Sequence, residues 1–376
     1  MLSNTLRTIC LALCLALSIS HTGKAAPEPS TRNVDLVIAL DVSGSMNGLI
    51  ESAKQRLWDI VNDFGQATPQ PVLRVAVLSY GNPGYGADTG FVRIDRPFTT
   101  DLDAVNQTLF SYQTNGGDEY VARAVHASVH QLDWNDSPDA LRVIFVAGNE
   151  AATQDPIWSV DQVTRQALDR DIVVNAIYCG GPTDSDATSW QRVAQLTQGM
   201  YASIDQNAAA LANIATPVDG EIARLNAELN NTYVAYGLKG RQRKENQLAQ
   251  DQAVAAMSAP AAASRAVTKA GKLYDSRDWD LVDALGSGVA LQDIPEEELP
   301  EPMQAMEDDE REAFVQQQTE KREDLKAQIG KLDRQRQQYI AEQRKRTGTD
   351  EGLDKAIQSG LRQVAEAKGF RFEDKN

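Results

Sequence analysis

Residues 34–40 read Val-Asp-Leu-Val-Ile-Ala-Leu, apolar at every position but Asp35. An apolar run without alternation suits a central parallel strand that is covered on both faces. From Met46 the period changes. Leu49, Ile50, Ala53, Leu57, Ile60, Val61 and Phe64 recur every three or four residues and predict a helix over 46–64. The alternation then continues. Strands are predicted at 72–79, 91–98, 141–147, 172–178 and 200–204, the second following a Gly/Pro loop (81–90) as an antiparallel neighbour. Helices are predicted up to Phe110 from a cap at Thr100 or Asp101, and at 120–132, 156–170 and 189–197. Strands alternating with helices imply an α/β domain over 34–217 with a doubly wound, mostly parallel sheet. In such sheets ligands gather where the carboxyl ends of the strands meet their loops.

The pattern changes beyond residue 217, where a mainly helical C-terminal extension is expected. Residues 218–290 are rich in Ala and Gln, with one apolar island (273–285) around Trp279. Residues 291–309 are acidic and Pro-containing and read as a solvated linker. Residues 310–376 form a charged helical tail. There Val315, Leu325, Ile329, Leu332 and Tyr339 keep a 3-4 spacing, while Gln318, Arg322 and Arg336 interrupt the seam. About two clean heptads fall short of a coiled coil. A helical hairpin, or a helix docked on the first domain, fits the pattern equally well. The chain shows no internal repeat.

At the other end, Arg7 precedes an apolar stretch (9–19) shorter than the roughly 20 residues a membrane span needs. Small residues and Ala25-Ala26-Pro27 follow, the pattern of a secretory signal peptide over 1–26, with a linker at 27–33. An uncleaved anchor is the alternative. No later stretch is apolar enough to span, so a periplasmic or secreted protein is expected, with no transmembrane segment after cleavage. Processing changes the arithmetic. The leader holds Cys10, Cys14, Arg7 and Lys24, so Cys179 alone remains and the formal charge moves from -16 to 35 − 53 = -18. One cysteine makes neither an intrachain disulfide nor a thiolate zinc site. An acidic chain repels nucleic acid and anionic membrane, which leaves proteins in or outside the cell envelope as the expected partners.

The candidate chemistry lies where the first strand meets its helix, at Asp41-Val42-Ser43-Gly44-Ser45. A carboxylate and two hydroxyls at alternate positions of a tight turn can point into one crevice, beside the positive end of the helix. Their hard oxygens suit Mg²⁺, Ca²⁺ or Mn²⁺. A capping turn is the plainer alternative. The segment resembles the Asp-x-Ser-x-Ser signature of von Willebrand factor type A domains, and the strand–helix order over about 33–215 is similar to theirs. The resemblance implies a Rossmann-like fold and a metal-ion-dependent adhesion site. Ser43 and Ser45 would bind the divalent cation, Mg²⁺ before Ca²⁺ or Mn²⁺, and Asp41 would act mostly through water.

Two later loops depart from the family. Where it offers a Thr after a glycine pair, this chain reads Thr114-Asn115-Gly116-Gly117-Asp118-Glu119. Where it presents Thr-Asp-Gly, this chain reads Ala147-Gly148-Asn149-Glu150. Asp118 is therefore expected to supply the acid lost at Gly148, with Thr114, Asn149 and Glu150 as further candidates; Glu119, like Glu150, reads first as a rim residue, with a place in the shell as the alternative. An acid on the ion weakens its attraction for a partner's carboxylate. His126 and His130 share a helix face, but Ala127 breaks any metalloprotease motif. The expected function is a non-enzymatic, metal-dependent protein-binding module. A metal-dependent hydrolase, or a regulatory subunit of an envelope enzyme, is the alternative.

Overall fold

The structure is a computed structural model that describes residues 32–203, 214–347 and 353–372; the leader and most of its linker lie outside them. The first part follows the order β1 (Arg32–Asp41), α1 (Asn47–Phe64), β2 (Ala67–Thr68), β3 (Pro71–Tyr80), β4 (Val92–Thr99), α2 (Leu102–Phe110), α3 (Val121–Gln131), β5 (Leu141–Gly148), α4 (Val160–Asp169), β6 (Val173–Tyr178), α5 (Ala187–Gln195) and β7 (Tyr201–Ser203). Six strands form one sheet in the order β4-β3-β1-β5-β6-β7, parallel except for β4. Its central strand is buried on both sides. Val34, Leu36, Ile38 and Leu40 pack towards α1 and α2, whereas Val37 and Ala39 pack towards α3, α4 and α5. Asp35, the polar break in that run, is fully buried and takes a two-pronged ion pair from Arg74 at 2.8 and 2.7 Å. Local chemistry sets the helix ends. Asp101 caps α2, and α4 begins four residues later than predicted because Ser159 and Gln162 make a capping box.

The remainder is helical: α6 (Asp219–Asn230), α7 (Gly237–Met257), α8 (Ala259–Ala270), α9 (Leu281–Gly286), α10 (Glu301–Gln304), α11 (Asp308–Thr347) and α12 (Leu353–Ala367), then β8 (Arg371–Phe372). The extension covers the α1/α2 side of the sheet, with α8 on α1 and α7 on α2. Arg322 and Arg336, which interrupt the seam of α11, are buried. Arg322 meets Asp280 at 2.5 Å and Asp283 at 2.7 Å, and Arg336 meets Asp219 at 3.2 Å, fastening α11 to α6, α8 and α9. The acidic 291–309 stretch exposes Glu296, Glu297, Glu301 and Glu307 but buries Leu299 and Met303, so it is packed rather than free-running. After α12, Phe370 is buried and β8 pairs antiparallel with β2. Among the described residues no helix is long and apolar enough to cross a membrane.

Candidate metal centre

Asp41, Tyr80, Gly148 and Tyr178 end four adjacent strands, in the registers Asp41↔Tyr80 and Gly148↔Tyr178. The loops that follow them meet above the sheet, and α1 and α3 begin there. Asp41 is fully buried and accepts the Ser43 N–H at 2.7 Å through Oδ1, while its Oδ2 has no hydrogen-bond partner. The Ser43 and Ser45 hydroxyls lie 3.4 Å apart. Asn149 donates through Nδ2 to the Ser45 hydroxyl at 2.9 Å, leaving its own buried Oδ1 without a donor. The Glu119 carboxyl is 4% exposed and within hydrogen-bond reach of Asp41 and Ser43, and its Oε2 is likewise unpartnered. Three buried acceptor oxygens without donors thus belong to side chains around one turn. Buried acceptors are ordinarily satisfied, and a cation is a partner that such oxygens take. The donor set consists of oxygens only, which suits a hard dication.

The electrostatics agree. Burial, then the Asp41 charge and the hydrogen bond to Asp41, push the Glu119 carboxyl up to about 9. Burial also raises Asp41, against the hydrogen bonds from Glu119 and Ser43 that pull it down. Two carboxyls this close share a proton unless a positive charge stands between them. Asp118, expected as the compensating acid, points the other way. It is exposed and accepts the Tyr120 hydroxyl at 3.3 Å. Glu119, placed at the rim by the sequence, is the inward acid. Thr114 donates to Asn47 at 3.0 Å at the start of α1, and Glu150 is exposed and accepts from Gln154 at 2.6 Å. Gly148 has a steric cause: a Cβ there would lie 2.5 Å from the Tyr80 hydroxyl and 3.1 Å from Asp41 Oδ2. Nothing in the motif signalled this use of Tyr80, which is buried and donates to the Ala147 carbonyl at 2.9 Å.

The other candidates stay outside the site. His126 stacks on Trp158, and His130 is hydrogen-bonded to Gln166 at 3.0 Å. Cys179 is buried, and burial raises its thiol, so little thiolate forms there at neutral pH. Among the described residues no three His, Cys, Asp or Glu side chains gather as a metal-holding group, so any ion here depends on hydroxyl and amide oxygens as well.

An open, mostly parallel sheet carrying Asp-x-Ser-x-Ser at the carboxyl end of its central strand defines an α/β domain with a candidate cation site. Residues 35–217 match the family model of the von Willebrand factor type A domain. Among solved structures the chain is similar to proximal thread matrix protein 1 from the mussel byssus, at 12% identity over 48% of this chain and 43% of that one, TM-score 0.38. A form of the same protein described as having a zinc-occupied MIDAS motif is 12% identical over 47% and 43%, TM-score 0.38. The pilus adhesin SpaC from Lactobacillus rhamnosus GG, in an open conformation, is 13% identical over 48% and 29%, TM-score 0.35. The chain thus covers less than half the length of these proteins. No curated protein matches it.

Proposed function

We propose that the protein is an exported, metal-dependent protein-interaction module. A divalent cation, Mg²⁺ before Ca²⁺ or Mn²⁺, sits among Ser43, Ser45, Asp41, Glu119 and Asn149, and a protein partner in or outside the cell envelope docks on that face. The observation that carries this reading is that Asp41, Glu119 and Asn149, whose side chains surround the strand–helix turn bearing the two serines, each keep a buried oxygen without a hydrogen-bond partner. The leader pattern of residues 1–26 supports export. Calorimetric titration of the mature chain with Mg²⁺ and Mn²⁺ should show one site, lost in Asp41→Ala. Titration that shows no binding of Mg²⁺, Mn²⁺ or Ca²⁺ defeats the reading. Capture of an envelope protein that is released by chelator would establish the docking half.

A further inference from the structure

We infer that Glu119 balances the charge of the bound ion, so that the docking partner meets this face through neutral or basic groups and not through a carboxylate on the metal. This rests on the reading that a dication is held here. Asp41 and Glu119 are both more than nine-tenths buried, lie within hydrogen-bond reach of each other, and each keeps one oxygen without a partner. Around Gly81, whose φ is +80°, a Cβ would meet Asp41 Oδ1 at 2.8 Å, Glu119 Cγ at 3.2 Å and Ser43 Cβ at 3.4 Å, so the three side chains already fill one space. Two carboxylates beside one dication cancel its formal charge. A third carboxylate, arriving from a partner, would be desolvated against a site with no charge left to repay it. The rim adds to this, because Glu150 is exposed close enough to act on the charges of Asp41 and Glu119 and would repel an incoming acid. A side chain at the place of the missing third-loop acid would collide with the Tyr80 hydroxyl, so the second negative charge comes from Glu119. A lysine, arginine or amide on the partner is the complement of such a surface.

The test uses the full mature chain, Mn²⁺ as the ion and acetate as a free carboxylate, with water-proton relaxation reporting the water left on bound Mn²⁺. In the wild type, excess acetate should change neither the Mn²⁺ affinity nor the relaxation. Glu119→Thr, which puts a neutral hydroxyl at this position, should weaken Mn²⁺ about tenfold or more. It should also let acetate displace metal-bound water. Glu119→Gln, close in shape, should weaken the ion similarly while its melting curve shows that the fold is kept. If Mn²⁺ binds the wild type but acetate displaces its water, or if both variants hold Mn²⁺ as tightly as the wild type, the inference is overturned and the metal reading stands. If the wild type binds no Mn²⁺, both fall together.

Discussion

At the scale of single residues, the paired acids make the site a competition between a proton and a cation. Glu119 is an ordinary carboxyl in the unfolded chain but is held near 9 in the fold. A raised carboxyl favours the fold fully at pH below its unfolded value, and that contribution is lost as pH climbs through the folded value. The cation-free protein is therefore expected to lose stability between about pH 4.5 and about 9. A dication reverses this by taking the proton's place. Its affinity should rise with pH over the same window, by up to about tenfold per unit, with release of a proton. Titrations in buffers of different ionisation enthalpy check the proton count, and pH-independent affinity would remove the competition. A second expectation concerns Gly148. Gly148→Ala forces a Cβ against Tyr80 and should cost about 1–3 kcal/mol. Tyr80→Phe removes both the clash and the hydrogen bond to Ala147. The double variant should thus be more stable than the sum of the singles, by about 0.5 kcal/mol or more in urea unfolding.

At the scale of elements, what the sequence could tell depended on whether the deciding interaction was local. The central strand and α1 were legible because burial on two faces and a 3.6-residue period leave a mark in the residues themselves, and the Asp-x-Ser-x-Ser turn was legible because it is contiguous. The helix predicted from Pro156 begins four residues later, at Val160, where the Ser159–Gln162 box sits. Ser159→Ala should cost about 1 kcal/mol if that box sets the boundary, and no measurable loss would show that packing sets it instead. The choice between Asp118 and Glu119 was not legible. Both are acids after the same glycine pair, and only the direction in which the loop enters α3 turns one inward. The arginines of α11 were visible as breaks in a seam, but their partners lie on α6 and beside α9, far along the chain. Arg322→Ala leaves Asp280 buried without its cation, which should cost about 3–5 kcal/mol in equilibrium unfolding.

At the scale of the whole molecule, the extension and the sheet domain share one buried polar network. The described residues form a single compact unit. Arg265 of α8 reaches Asp103 of α2 at 2.8 Å and Asp251 of α7 at 2.6 Å while lying over the ring of Trp58 on α1. Asn62 of α1 donates to the Ser264 carbonyl at 2.9 Å and accepts the Thr268 hydroxyl at 2.7 Å. At the far end of the sheet, Arg362 of α12 pairs with Asp63, the penultimate residue of α1. The same helix begins at the candidate ion and ends under the extension, so neither part can unfold without stranding buried partners in the other. The described parts are expected to melt in one transition, with calorimetric and van't Hoff enthalpies equal. A bound cation should move that whole transition, by about 2.7 kcal/mol at one hundred times its dissociation constant. Two resolved transitions, with Mg²⁺ shifting only one, would mean that the polar network does not couple the sheet domain to its helices. Arg265→Ala separates these cases: under coupling it lowers the single melting temperature, and without coupling it splits the curve no further.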